Sequence, residues 1–158
     1  VVAMTDVDHF KKFNDTHGHD VGDQVLRLVA SKLSKVTGGG RAYRYGGEEF
    51  ALVFAGKTLE ECLPHLEAVR ESIATYNIRL RDVDRPQNDQ QGRQRRGAAA
   101  ASSVSVTISI GGAERLADHR SAEDVLKSAD QALYSAKGAG RNCVVAFQQN
   151  RRGAVRNG

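Results

Sequence analysis

The sequence has little of what characterises secreted, disulfide-rich or membrane-spanning proteins. It contains no tryptophan, two prolines and two cysteines among 158 residues. Cys62 and Cys143 lie far apart and have no metal-ligand spacing, so we expect small core residues in a reducing, cytoplasmic compartment. No run approaches the ~20 apolar residues of a membrane helix, so we expect no membrane contact in this chain, whether or not the full protein is membrane-anchored. Residues 1–4 (VVAM) are typical of a strand interior and not of a signal peptide, which predicts that the chain begins in mid-protein.

Positive charge is concentrated in two segments. The formal net charge is +4, yet residues 79–96 hold six arginines against three aspartates, and residues 148–158 hold three more arginines. The remainder of the chain is close to neutral. A nucleic-acid-binding protein would carry its basic residues on a folded face, so we predict no nucleic-acid partner and interpret these arginines as solvated charge.

Hydrophobic periodicity predicts a mixture of strands and helices. In chain order these are a strand over 1–7, a short helix over 9–15, a helix over 20–36, a hairpin over 42–54, a helix from about 59, a strand pair over 77–83 and 104–110, a helix over 121–136 and a strand over 142–147. Thr58 and Glu61 form a capping box, but Pro64 predicts either a kink or a helix start near Leu63.

Strand pairs outnumber crossovers in this order. We therefore expect an α+β sandwich with a largely antiparallel central sheet flanked by helices. Residues 85–103 are rich in Gln, Arg, Gly and Ala and are predicted to be a flexible insertion in a hairpin. Residues 148–158 are predicted to be a disordered tail, which leaves one domain over residues 1–147.

A glycine pair followed by two carboxylates is the most unusual local feature. Gly46-Gly47 separates two strand-like runs and predicts a two-residue hairpin turn. Glu48 and Glu49 follow the turn, and adjacent like charges repel unless a metal ion or a basic ligand compensates them. Asp6 ends the first strand, so it converges with the glutamates if the strand and the hairpin are neighbours.

The candidate ligands are carboxylates and include no histidine or cysteine, and such hard oxygen ligands suit Mg²⁺. Lys11, Lys137 and Arg141 lie near predicted helix ends, where basic side chains would hold phosphates. Enzymes that catalyse two-metal phosphoryl transfer use metal ions held by carboxylates together with cationic side chains that bind phosphate. Taken singly, each residue has an ordinary interpretation: Asp6 as a strand-end charge, Lys137 and Arg141 as cations facing a helix dipole.

Four separated blocks occur in order along the chain. They are residues 6–15 (DVDHFKKFND), 18–23 (GHDVGD), 44–50 (RYGGEEF) and 129–142 (ADQALYSAKGAGRN). Together they resemble the GGDEF family of bacterial diguanylate cyclases, in its GGEEF form. The resemblance implies a sheet related to nucleotidyl cyclases, polymerase palm domains and ferredoxin-like folds. It also implies that two GTP molecules are joined into cyclic di-GMP with release of pyrophosphate.

The resemblance also implies a role for each matching residue. Asp6, Glu48 and the backbone carbonyl of Val7 would bind metal, with Glu49 in support. The ions would be two Mg²⁺ per active site, with Mn²⁺ as an alternative. Glu48 would also assist deprotonation of the 3′-hydroxyl. The implied substrate-binding residues are Asn14 and Asp23 at guanine, His19 beside them, Lys11, Lys137 and Arg141 at phosphates, and Phe10, Gly46 and Gly47.

The chain departs from the family pattern in places. Residues 37–40 (TGGG) replace an Arg-x-x-Asp product-binding site, so we expect no inhibition through that site. The family segment before the first strand is absent, and the resemblance implies an upstream sensory or dimerising domain in the full protein and a homodimer for catalysis. A second hypothesis is a binding module that senses GTP or cyclic di-GMP without catalysis. A polymerase-like function is disfavoured by the neutral core.

Overall fold

A five-stranded sheet with its first strand at the centre organises the structure. The computed structural model describes residues 1–79 and 103–148. Within these residues the strands are β1 (Val2–Val7), β2 (Arg41–Gly46), β3 (Glu49–Val53), β4 (Ile78–Arg79), β5 (Ser103–Val104), β6 (Ile108–Ala113) and β7 (Val144–Ala146). The helices are α1 (Phe10–His17), α2 (His19–Leu33), α3 (Leu59–Ala74) and α4 (Ala122–Gly138).

The main sheet has the order β2-β3-β1-β6-β7. β1 pairs antiparallel with both β3 and β6, whereas β7 runs parallel to β6. β4 and β5 form a separate two-stranded ribbon. The predicted α+β fold with a largely antiparallel sheet flanked by helices is therefore confirmed.

Each face of the sheet has its own hydrophobic core, because side chains alternate along β1. Ala3 and Val7 face the layer made by α1, α2 and α3, while Met4 faces α4. α4 presents small residues to the sheet, and a Cβ added at Gly111 of β6 would overlap the backbone of Leu133. The close approach of α4 to the sheet thus requires glycine at this position.

Two helix predictions need correction. α2 ends at Leu33 rather than at residue 36, and its cap Ser34 donates its backbone N–H to the Ala30 carbonyl. α3 begins at Leu59 behind the predicted capping box and continues through Pro64. The predicted later start near Leu63 is therefore wrong. Glu60, whose carbonyl loses its intrahelical N–H partner at Pro64, is exposed, so this carbonyl can bind water instead.

The predicted strand over 104–110 is wrong in its extent. Val104 belongs to β5 and pairs with Ile78, but the chain then leaves this ribbon and joins the main sheet at Ile108. Val106 lies between the two strands and is nevertheless buried. Apolar residues therefore alternate without interruption over residues 104–110. Periodicity alone cannot reveal that the chain passes from the two-stranded ribbon to the main sheet within this segment.

Two other predictions fall on residues that the structure does not describe. The insertion over 85–103 lies outside the described residues apart from Ser103, which is in β5, and the tail over 148–158 lies outside them apart from Gln148. None of the helices in residues 1–79 and 103–148 combines the length and apolar character needed to cross a bilayer.

Candidate active site

An acidic cluster lies where β1 ends beside the β2–β3 hairpin. Asp6 is directly opposite Glu49 in the register of β1 and β3, so both side chains project from the α4 face of the sheet. Asp6 is only 8% exposed. Lys137 at the end of α4 places its Nζ 3.0 Å from Asp6 Oδ2. The packing of α4 against the sheet therefore brings a cation to the buried carboxylate.

The hairpin turn is one residue later than predicted. Gly46 is still part of β2, and Gly47 and Glu48 form the turn. A register irregularity between Arg44 and Gly46 accounts for the shift, since a bulge takes up an extra residue on one strand. Gly47 has a φ of +47°, and its carbonyl accepts hydrogen bonds from Arg44 Nη2 at 2.7 Å and Nε at 3.2 Å.

Glu48 sits at the tip of the turn in an unfavourable electrostatic environment. Partial burial raises the pKa of its carboxyl above the ordinary value, the negative charge of Asp6 raises it further, and the ammonium of Lys137 opposes both. The backbone N–H of Val7 donates to the Glu48 carbonyl at 3.3 Å, which ties the turn to the end of β1. A bound cation would offset the electrostatic repulsion between these carboxylates.

The described residues contain no group of three or more Asp, Glu, His or Cys side chains arranged as a complete metal cage. Magnesium commonly uses one or two carboxylates and completes its coordination with water and substrate phosphates. The donor chemistry of Asp6, Glu48 and the Val7 carbonyl fits a hard divalent ion of this kind.

A second part of the predicted site lies where α1 packs on α2. Asn14 covers Gly22 so closely that an added Cβ there would overlap Asn14 Oδ1. That oxygen is buried and has no hydrogen-bond partner among the described residues. Asp23 lies one residue further along α2 and lines a cleft of about 430 Å³, together with Arg44 and Phe50 from the hairpin.

The predicted residues thus separate into groups. Asp6, Glu48, Glu49 and Lys137 form one electrostatic cluster. Asp23 lines the cleft, and Asn14 lies against Gly22, which is in the same helix as Asp23. Phe10 is buried in the core, so its contribution is to packing. The side chains of Lys11 and His19 are exposed, and Arg141 lies in the turn after α4 with a φ of +66°.

Three residues outside the predicted set also shape this site. Arg44 clamps the hairpin turn, while Asp8 and Asn142 connect the end of β1 to the turn after α4 through a hydrogen bond of 3.1 Å. The signal for Asp8 was present, because it lies two residues from Asp6. Asp6 is within β1, whereas Asp8 lies just beyond the end of the strand at Val7.

The fold is that of the palm-like nucleotidyl cyclases, with the acidic cluster beside the central strand. The family described as "Diguanylate cyclase, GGDEF domain" matches residues 1–143. The chain belongs to this family.

Curated relatives are longer proteins. Diguanylate cyclase VdcA of Vibrio cholerae is 38% identical over 145 residues, which are 91% of this chain and 38% of VdcA. Response regulator PleD of Caulobacter vibrioides is 37% identical over 143 residues, 90% of this chain and 28% of PleD. The chain therefore spans well under half the length of these relatives.

Solved structures agree with this assignment. The GGDEF domain of DgcB from Caulobacter crescentus, in complex with c-di-GMP, is 35% identical with a TM-score of 0.77, over 94% of this chain and 75% of that one. The active GGEEF domain of a diguanylate cyclase from Vibrio cholerae is 29% identical with a TM-score of 0.71, over 94% of this chain and 82% of that one.

Proposed function

We propose that this domain is a diguanylate cyclase that condenses two GTP molecules into cyclic di-GMP and releases pyrophosphate. In each step a 3′-hydroxyl attacks the α-phosphate of the other nucleotide. The observation that carries the proposal is the cluster of Asp6, Glu48 and Lys137, at the positions where the family sequence blocks match.

The proposed cofactor is Mg²⁺, two ions per active site, with Mn²⁺ as a substitute. Asp6, Glu48 and the Val7 carbonyl would hold the ions, with Glu49 in support. When bound, such ions neutralise phosphate charge and lower the pKa of the attacking hydroxyl. Hard oxygen donors are the ligands that Mg²⁺ prefers.

The chain's own residues have distinct tasks in this proposal. Glu48 accepts the proton of the 3′-hydroxyl as general base. Lys137, Arg141 and Lys11 bind phosphate oxygens as cations. Gly46 and Gly47 would let the hairpin backbone lie close to the phosphates.

Base recognition is assigned to Asn14 and Asp23, with His19 nearby. Asn14 Oδ1 is a buried acceptor without a partner in the described part of the chain, so a donor from a ligand would satisfy it. An aspartate carboxylate accepts from the ring N–H and the amino group of guanine. Adenine offers no matching pair of donors and is rejected.

The proposed assembly is a homodimer, because each domain binds one GTP and the two half-sites must face each other. An upstream sensory or dimerising domain would bring the copies together in the full protein. The domain would act in the cytoplasm, where GTP is available.

The experiment is a Mg²⁺-dependent assay of the chain fused to a dimerising coiled coil, with GTP as substrate and cyclic di-GMP and pyrophosphate as products. Glu48→Gln is expected to lower turnover by roughly 100-fold or more, the usual contribution of a general base. Glu60→Gln is the matched control, since Glu60 is exposed on α3.

Two results would contradict the proposal. If the dimerised protein binds GTP without forming product, the domain is a binding module. If Glu48→Gln retains full turnover, Glu48 is not the proton acceptor, and another group must take the proton.

A further inference from the structure

Asp8 is a buried carboxylate that the proposed reaction does not use. It is 6% exposed. Its Oδ1 accepts a hydrogen bond from Ser109 Oγ at 2.6 Å, and its Oδ2 accepts from Thr107 Oγ1 at 2.7 Å and from the backbone N–H of Asn142 at 3.1 Å. A buried charge is tolerated when hydrogen bonds satisfy it. Asp8 therefore joins β1, β6 and the turn after α4.

The turn after α4 has an unfavourable backbone conformation. Arg141 and Asn142 have φ values of +66° and +46°, in the left-handed region that residues other than glycine rarely adopt. Such a conformation persists only where its surroundings impose it. The Asp8 carboxylate supplies one restraint, and Arg70 supplies another by donating from Nη1 to Asn142 Oδ1 at 2.7 Å.

Two of the cations assigned to phosphate lie in this turn or directly before it. Lys137 is in the last turn of α4 and Arg141 is in the turn itself. Asp8, which accepts the hydrogen bond from the backbone N–H of Asn142, is adjacent to Val7 and two residues from Asp6. The Asp8 carboxylate therefore helps to hold the end of β1, which carries the proposed metal ligands, against the turn that carries Arg141.

We propose that Asp8 is a positioning residue that holds the turn over residues 138–142 against the end of β1, so that Arg141 meets the phosphates of a nucleotide held at Asp6. The inference rests on the proposed function, because phosphate binding by Arg141 is part of it. Asp8 acts through Arg141 and does not touch the substrate.

The test measures binding of 3′-deoxy-GTP with Mg²⁺ by calorimetry. This analogue lacks the attacking hydroxyl, so it binds without turnover and needs no second copy. Asp8→Asn keeps the side-chain size but replaces an accepting oxygen with a donating amide. We expect its Kd to rise on the order of tenfold, as for other residues that orient a ligand-binding group.

A double-mutant cycle with Arg141→Ala separates positioning from general destabilisation. If Asp8 acts through Arg141, Asp8→Asn adds little to the Kd once Arg141 is alanine. Asp124→Asn is the matched control. Its carboxylate also accepts backbone N–H bonds, but it caps the far end of α4, about 20 Å from Lys137 along the helix.

The outcomes distinguish a failure of the proposed function from a failure of the positioning role of Asp8. If wild-type protein does not bind the analogue, the proposed function fails. If wild-type protein binds the analogue and folded Asp8→Asn binds it equally well, the positioning role fails. The role also fails if Asp8→Asn raises the Kd by the same factor in the Arg141→Ala variant as in wild-type protein. Should Asp8→Asn not fold, Thr107→Val removes a donor to the same Oδ2. A severalfold rise in Kd then supports the role, and an unchanged Kd overturns it.

Discussion

Glu48 shows how a single carboxyl is tuned by three neighbouring charges. Burial and Asp6 raise the pKa of Glu48, and Glu49 adds to the increase, whereas Lys137 lowers it. In metal-free protein the folded state therefore holds the proton more tightly than the unfolded state. The free energy of unfolding consequently falls as pH rises above the ordinary glutamate pKa of about 4.5, through the raised value of the folded state.

Replacing Lys137 with methionine tests this balance. Lys137→Met removes the only lowering charge among the causes of the Glu48 shift, so the pKa of Glu48 is expected to rise further. Carboxyl ¹³C NMR titration of metal-free protein measures it directly. Lys127→Met removes the same charge from an exposed position on α4 and should leave the titration unchanged. An equal shift in both variants would show that net charge, not the local ion pair, sets the value.

At the scale of the element, the packing of α4 on the sheet brings Lys137 to Asp6 in the candidate active site. Its backbone packs onto Gly111, where an added Cβ would overlap Leu133 N and the Ala129 carbonyl. Gly111→Ala must therefore push α4 away from the sheet. We expect a loss of about 2–3 kcal/mol in the free energy of unfolding, typical of overpacking, measured by urea denaturation.

The neighbouring glycine provides the control for this prediction. Gly112 is on the opposite face, where an added Cβ would meet the end of the Leu59 side chain at 2.9 Å. A flexible side chain can move, so Gly112→Ala should cost much less. Equal losses in both variants would indicate that a side chain is unfavourable at either glycine position, and that the packing of α4 is not the reason.

Sequence reasoning succeeded for elements whose signal is local. The capping box at Thr58 was predictable from residue spacing, and the class of the sheet from the order of strands and helices. The position of the hairpin turn was not, because the bulge after Arg44 depends on pairing with β3. The contact between Asp8 and Asn142 also could not be predicted, since the two residues are 134 positions apart along the chain.

For the whole molecule, the proposed reaction requires two copies to meet. In that proposal each domain has one set of Asp6, Glu48 and Asn14 and would bind one GTP. The initial rate is then expected to rise with the square of protein concentration while monomers predominate. A coiled-coil fusion should make the rate linear in concentration, and a linear rate for the unfused chain, shown to be monomeric by sedimentation, would contradict the two-copy reaction.

The sheet order also gives the two sides of the site different local stabilities. Asp6 is on β1, which is hydrogen-bonded on both sides. Glu48 follows β2, an edge strand in which five of six residues are exposed. Edge segments fray through small openings, whereas a central strand exchanges its amide hydrogens only when most of the domain opens. On warming, the Glu48 side would thus open first, and activity would decline before the domain unfolds.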